Sequence, residues 1–266
     1  DHKQVNKLIA DKKITAGESP VHLIDIETGK PVLTQHGSVY WNDHRQRWVM
    51  VISQSFGSSM LGEIWFAEAA RPEGPWAYAR KIVTHDDYSF YNPKQHPYFA
   101  KDGGRTLFFE ATYTSTFSGN KHPTPLYDYN QVMYRLQLND PRLNLPVPVY
   151  EQLGDTGSTW STVRYGNAVP RFFALPKSAN GMVAIGREKK AGRLVRLVKG
   201  TDALFHAAAD PVALGQDYLL PLHEWTRVDQ GQTIYAYATK PPANGNWQRS
   251  STPLGHVWPL RRSISP

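Results

Sequence analysis

Hydrophobic and polar residues alternate along the chain in short runs that predict strands. The run SVYWNDHRQRWVMV, residues 38–51, combines an aromatic strand, a polar turn, an arginine and a second apolar strand. HPYFAKDGGRTLFF, residues 96–109, repeats this order 58 residues later. A third strand follows each run, at 62–69 and 130–138, and a proline-marked turn then leads to a fourth. The pattern predicts two four-stranded antiparallel meanders.

Repeated four-stranded units at a spacing of several tens of residues are typical of β-propellers. The sequence therefore predicts an all-β fold, a five-bladed β-propeller with an irregular or incomplete first blade. We expect residues 1–266 to form this single domain. In the alternative, residues 1–153 carry the propeller blades and 154–266 form a separate small β-domain, with GDTGST at 154–159 as the linker.

Composition limits the classes of protein that the chain can be. A hydrophobic fraction of 40%, with 8 Trp, 14 Tyr and 10 Phe, is enough for a large core. The absence of cysteine excludes disulfides, thiolate metal sites and cysteine nucleophiles. No apolar run is long enough to span a bilayer, so we expect no membrane partner. We expect an extracellular or periplasmic bacterial protein, although a cytosolic location fits the composition equally well.

The net charge of +7 predicts either an acidic partner, such as an anionic polysaccharide, or simply a solvated basic surface. The densest basic cluster is REKKAGRLVRLVKG, residues 187–200. Because no nucleic-acid-binding motif accompanies it, we expect no nucleic-acid partner. The sequence does not indicate the oligomeric state.

Ligands of propellers bind where inner strands and their loops meet the central channel. His36 precedes such a strand, and Gly37 beside it allows a close backbone approach. His36 is either a ligand-binding residue or a histidine satisfied by neighbouring backbone. In THDDYSFYNPKQHPYF, residues 84–99, Asn92 and His96 stand among aromatic and polar side chains of the kind that bind sugars.

A metal site is the weaker interpretation of the same stretch. His85, Asp86 and His96 match no standard metal-ligand spacing, so we assign no metal ligands. We expect no cofactor, and a channel-bound cation such as calcium is the one alternative left open.

Glu110 directly follows two phenylalanines in the predicted strand TLFFEATY. Alternation places it on the face of Phe108 and Thr112, opposite Leu107, Phe109 and Ala111, and both faces are expected to be largely buried. A buried carboxylate is either paired, for example with Arg105 or Arg135, or kept protonated as a general acid requires.

Further candidates follow a polar loop. Asp128, Tyr129 and Asn130 lead into the strand at 130–138, and Asp128 is the natural second carboxylate. Glu63 in LGEIWFAEA competes with it for this role. Glycoside hydrolysis needs two carboxylates, one acting as acid and one as base or nucleophile. Tyr113, in the same predicted strand as Glu110, is a further sugar-binding candidate.

The order HGSVYWNDHRQRWVMV, GEIWFAEAARPEGPWAYARKIV and HPYFAKDGGRTLFFEATYT resembles the five-bladed propeller glycosidases of the arabinanase, xylosidase and fructosidase group. The likeness covers roughly residues 20–150 and is best over 36–82. The chain looks closer still to bacterial propeller proteins of unassigned activity, which share YSFYNPKQHPYF, FFEATYT, NQVMYR and WQRSSTPLGHVW. The resemblance implies a catalytic aspartate near the first blade, where Asp25 is the nearby match, and Glu110 only loosely replaces the acid motif of that group.

Two functions follow from these residues. In the preferred one, the protein is a glycoside hydrolase acting on a polysaccharide or oligosaccharide, with Glu110 as proton donor and Asp128 or Glu63 as its partner. His36, Asn92, His96, Tyr113, Tyr129 and Asn130 then bind the sugar. In the alternative, the same pocket belongs to a non-catalytic module that binds a glycan or a protein. A structural ion-pair network around Glu110 is the third interpretation.

Overall fold

The computed structural model describes residues 2–15, 18–19, 22–74, 76–85, 88–116, 118–122, 128–154, 157–188, 193–199, 202–211 and 219–260. The protein is all-β, as predicted, with 51% strand and 7% helix, and its curled sheets include a half-barrel. The chain divides into two compact units, and the boundary falls between Leu143 and Asn144. Among the described residues, no helix has the length and apolar character needed to cross a membrane.

Unit 1 holds one helix and nine strands in its described residues. They are α1 His2–Ala10, β1 Leu23–Ile24, β2 Pro31–Val32, β3 Thr34–Asn42, β4 Arg47–Gln54, β5 Glu63–Ala69, β6 Ala77–Thr84, β7 Ser89–Gln95, β8 Thr106–Thr114 and β9 Asn130–Gln137. Short 3-10 helices at Pro97–Phe99 and Asp102–Gly104 lie between β7 and β8.

The first predicted meander is confirmed as the antiparallel sheet β3-β4-β5-β6. Its buried side chains, among them Met50, Ile52 and Trp65, form the apolar core of unit 1. Gly37 lies against β4 so closely that a Cβ atom there would stand 2.3 Å from the Val51 carbonyl oxygen. The close backbone approach predicted for Gly37 is therefore confirmed.

The second predicted meander differs from the structure in two respects. Its first strand was expected at HPYF, but Pro97–Phe99 is a 3-10 helix and the preceding residues form β7. Pro97 has no backbone N–H for a ladder and its φ is fixed, so the strand ends before it. The expected fourth strand does not pair with the other three. The second meander is therefore a three-stranded antiparallel sheet with the order β7-β8-β9.

Unit 2 is built from the remaining strands. They are β10 Val147–Gly154, β11 Gly157–Ser161, β12 Val169–Ala174, β13 Met182–Arg187, β14 Leu194–Arg196, β15 Phe205–Ala208, β16 Leu220–Asp229, β17 Gln232–Ala238, β18 Gln248–Arg249 and β19 Gly255–Val257. One sheet has the order β11-β10-β12, and a larger one has the order β14-β13-β15-β19-β16-β17 with β18 paired to β16. Gly154 and Gly157, in the predicted linker, pair at the end of the β10–β11 hairpin.

A buried glutamine joins β7 to the first sheet of unit 1. Gln95, 2% exposed, donates from Nε2 to the carbonyl oxygens of Ser38 at 2.9 Å and Val49 at 3.0 Å. Its backbone N–H also donates to Ser38 Oγ at 2.8 Å. One side chain thus satisfies backbone acceptors on both β3 and β4 and fixes the end of β7 against them.

We expect Gln95→Leu to lower the free energy of unfolding by roughly 1–3 kcal/mol, since two buried carbonyl oxygens lose their donor while side-chain volume is kept. Urea denaturation of the purified variant measures this loss. Gln35→Leu makes the same chemical change at an exposed position of β3 and should alter stability by no more than about 0.5 kcal/mol. Equal stability of the two variants would contradict the anchoring role of Gln95.

Candidate functional site

Glu110 and His96 are brought together on the sheet β7-β8-β9. His96 Nε2 lies 3.2 Å from Glu110 Oε2, and the imidazole is almost fully buried whereas 29% of the Glu110 side chain is exposed. The distance is within that of an ion pair, and among the described residues Nε2 has no hydrogen-bond partner. Of the two expected arginine partners, Arg105 pairs with Asp102 at 3.3 Å instead.

The alternation predicted for β8 is confirmed, but the face of Glu110 is more open than expected. Leu107, Phe109 and Ala111 are buried on one side, whereas Phe108 and Glu110 on the other are only partly covered. The reason lies in the neighbouring strand, because β9 contributes exposed residues such as Met133 opposite Glu110. A carboxylate here can reach both His96 and solvent.

Two exposed rings follow His96 in the 3-10 helix. Tyr98 is 74% exposed and Phe99 is 50% exposed, and their ring centroids lie 4.7 Å apart. The Tyr98 hydroxyl lies 2.6 Å from His96 Nδ1, so one imidazole contacts a tyrosine and a carboxylate through its two nitrogens. Sequence reasoning named neither ring as a site residue, because HPYF was interpreted as a strand.

A β-bulge in β7 lies next to the residue that pairs with Glu110. Tyr91 pairs with Thr112 and Lys94 pairs with Glu110. Two residues of β7, Asn92 and the one after it, therefore lie opposite a single residue of β8. Asn92 is exposed and has a φ of 48°, in the left-handed region that asparagine tolerates better than most residues. The bulge places the Lys94 ammonium group on the Glu110 face of the sheet.

Asp128 holds the loop that joins β8 to β9. Its Oδ1 accepts hydrogen bonds from Thr114 Oγ1 at 2.8 Å and from the N–H and hydroxyl of Ser115, both at 2.9 Å. Its Oδ2 accepts one from Thr116 Oγ1 at 3.0 Å. These bonds, the one from Thr114 first, lower the pKa of Asp128 from 3.8 to about 2. Asp128 is therefore an ionised acceptor at neutral pH and has no proton to donate.

Asp128 contacts β8 at a different position from Glu110. It binds Thr114, which is four residues along the strand from Glu110, or roughly 13 Å between the two backbone positions at the rise of an extended strand. The carboxyl groups of a glycosidase pair stand about 5–10 Å apart.

Glu63 also serves a local structure. It is 4% exposed, accepts from the Ser58 N–H at 2.8 Å and lies 3.8 Å from Lys81 Nζ. Its Oε2 is buried against Gly57, where a Cβ atom would stand 1.5 Å away. The Ser58 loop contacts His85 near the start of β7, whereas Glu110 faces the end of that strand. The structure thus keeps Glu63 apart from Glu110.

The remaining predicted residues occupy separate positions. Tyr113 packs in an aromatic group with His85, Tyr88 and Phe90, at centroid distances of 5.2, 4.6 and 5.7 Å. Asn130 pairs with Tyr113 across β8 and β9. Tyr129 is exposed, has a φ of 80° and lies 6.4 Å from the Tyr91 ring.

His36 and Asp25 have local partners of their own. His36 is exposed at a bulge of β3, and its carbonyl oxygen accepts from Ser53 Oγ at 3.1 Å. The carboxylate of Asp25 accepts from the Glu27 N–H at 2.9 Å and from Thr28 Oγ1 at 2.6 Å, as in a turn.

A metal site finds no support in the described part of the chain, where no group of three or more His, Asp or Glu side chains is arranged to hold an ion. Asp86 lies outside the described residues. His85 itself packs against the Tyr88 ring at 4.8 Å.

Comparison with known proteins gives no family for the chain. No protein-family model matches it, and a search of curated proteins finds no significant match.

We expect the carboxyl group of Asp128 to titrate near pH 2 in the folded protein. Because its folded pKa lies below the unfolded value of 3.8, the stability it contributes is present above that value and is lost as pH falls through about 2. The measurement compares the stability of the wild type and Asp128→Asn against pH. Their difference should be constant at neutral pH and should close in acid, and a difference that grows in acid would contradict the assignment.

Proposed function

We propose that the protein binds a carbohydrate on a surface of unit 1 formed by Lys94, His96, Tyr98, Phe99 and Glu110, called here the Glu110 surface. The observation that carries the proposal is a partly exposed carboxylate, held 3.2 Å from a buried histidine, beside two strongly exposed aromatic rings. Aromatic rings pack on the apolar faces of sugars, and a carboxylate accepts hydrogen bonds from their hydroxyls.

The charges on this surface suit a hydroxyl-rich ligand. Glu110 and Lys94 pair across the strands, so an acceptor and a donor face the same side. A further cation lies nearby, since Lys101 Nζ is 5.9 Å from the centre of the Phe108 ring. A carboxylate acceptor and ammonium donors on one face can form charge-assisted hydrogen bonds with the hydroxyls of a sugar.

The wider proposal places this surface on a five-bladed propeller in an extracellular or periplasmic protein. The sheet β3-β4-β5-β6 followed by β7-β8-β9 supports a succession of blades. The resemblance of residues 20–150 to propeller glycosidases supports a carbohydrate as the ligand.

Hydrolysis is the second candidate function, and the contact between Glu110 and His96 favours it. A carboxyl group that contacts a histidine and is also exposed to solvent can exchange a proton with a leaving group. Binding without cleavage is preferred because Asp128 and Glu63, the predicted partners of Glu110, are engaged in loops at other positions. A hydrolase needs a second carboxylate on the far side of the bond.

Screening the wild type on a glycan array, followed by calorimetry on each hit, tests the binding proposal. We expect Tyr98→Ala to weaken binding about tenfold or more, because the ring supplies contact area, and Glu110→Gln to weaken it less. Tyr165→Ala removes a comparably exposed ring from unit 2 and should leave affinity unchanged. Binding that is insensitive to Tyr98→Ala would place the sugar elsewhere.

Mass spectrometry of each glycan after incubation separates the two functions. Intact glycan supports binding alone. Cleavage by the wild type that is lost in Glu110→Gln, by about a hundredfold or more, would instead establish Glu110 as a proton donor. Cleavage that survives this substitution would contradict the hydrolase candidate at this surface.

A further inference from the structure

Unit 2 contains a large open pocket whose lining is rich in arginine. Its volume is about 1110 Å³, above the roughly 300–1,000 Å³ usual for pockets that hold small molecules. Strand β17 forms one wall, and β10, β11 and β12 contribute to the lining. Among the described residues, the basic side chains of the lining are Arg171, Arg187, Arg193, Arg227 and Lys240, and Glu151 is the acidic one.

Three of these arginines are held by carboxylates. Arg171 Nε lies 2.7 Å from Glu151 Oε2, Arg193 Nη2 lies 2.6 Å from Glu224 Oε1, and Arg227 Nη2 lies 3.2 Å from Asp229 Oδ2. Hydrogen bonding to Glu224, together with its charge, raises the pKa of Arg193 above its ordinary value. These pairs fix the directions of the guanidinium groups rather than adding net charge to the pocket.

Two cations of the lining have no carboxylate partner among the residues that the structure describes. Arg187, at the end of β13, and Lys240, just after β17, are both exposed. The pocket therefore keeps an excess of positive charge after its internal pairs are formed. A cleft with such an excess attracts anions.

Two rings of the pocket are already covered by arginine. The guanidinium carbon of Arg193 lies 4.5 Å from the centre of the Tyr235 ring, and that of Arg227 lies 5.0 Å from the Trp247 ring. Gly245 permits the second contact, since a Cβ atom there would stand 2.9 Å from Arg227 Nη1. Arg227 Nε is buried with no hydrogen-bond partner in the described chain. One face of each ring is thus closed to stacking.

We propose that this pocket binds an acidic oligosaccharide through the carboxylates of its uronic acid units, with Arg187 and Lys240 as the principal cationic contacts. The volume fits an oligomer, and the side chains of Ser158, Thr159, Gln232 and Thr233 in the lining can bond hydroxyls. A single-stranded nucleic acid is the less favoured occupant, because Arg193 and Arg227 already cover one face of the Tyr235 and Trp247 rings on which bases would stack. The pocket lies wholly in unit 2, so this proposal stands or falls independently of the Glu110 surface.

Calorimetric titration with short homopolymers of galacturonic, mannuronic and glucuronic acid tests this proposal. We expect at least one of the three to bind saturably, with an affinity that falls as salt is added. Arg187→Gln combined with Lys240→Gln should weaken that binding about tenfold or more, since two charge-assisted contacts are lost. Arg164→Gln combined with Lys199→Gln removes the same charge at exposed positions outside the pocket and should leave the affinity within about twofold.

Three results would overturn the proposal. The first is that none of the three uronic acid homopolymers binds saturably, and the second is that the two double variants lose the same affinity. The third is that an oligothymidylate binds more tightly than every uronic acid probe. Because the altered residues are exposed, both double variants should fold, and circular dichroism with thermal unfolding checks this. The variants of the Glu110 surface should leave uronic acid binding unchanged, which separates failure here from failure of the carbohydrate surface in unit 1.

Discussion

The buried amide of Gln95 is the contact on which the Glu110 surface depends. It satisfies carbonyl oxygens on two strands of the neighbouring sheet, and the next residue in the chain is His96. Because an unsatisfied buried carbonyl is costly, the end of β7 has one favourable position. That position places the His96 imidazole next to Glu110 and Tyr98. The position of His96 beside Glu110 therefore depends on hydrogen bonds made by the preceding residue, Gln95.

Much of the local structure of unit 1 could be predicted from its sequence. Strands β3 to β6 are short runs rich in apolar and aromatic residues, separated by segments that contain glycine, proline or polar residues, so their number and order follow from the pattern. The orientation of Glu110 on β8 follows from the same alternation. Gly37 could be identified as a point of close approach because glycine in a strand often marks one.

The partners of these residues could not be predicted, because contacts between distant strands decide them. Alternation through Asn92 and Pro93 does not reveal the bulge that sets Lys94 opposite Glu110. The sequence favours Asp128 as the second carboxylate of a pair, but the hydrogen bonds that it accepts from Thr114 to Thr116 form between residues on either side of a loop and leave no signal in the pattern. The strand at 147–154 has the right pattern for a fourth strand, yet pairing within unit 2 decides its neighbours. The arginine pocket collects residues from across unit 2 and has no compact motif.

The hydrogen bond between Tyr98 and His96 has a thermodynamic consequence. An exposed tyrosine ordinarily samples several rotamers, and a ligand that stacks on it must reduce that freedom. The hydroxyl of Tyr98 is held 2.6 Å from a buried imidazole, so the ring is restrained before any ligand arrives. Much of the side-chain entropy that stacking on Tyr98 would remove is therefore already lost on folding. A ligand that stacks on the ring would bind more tightly for that reason.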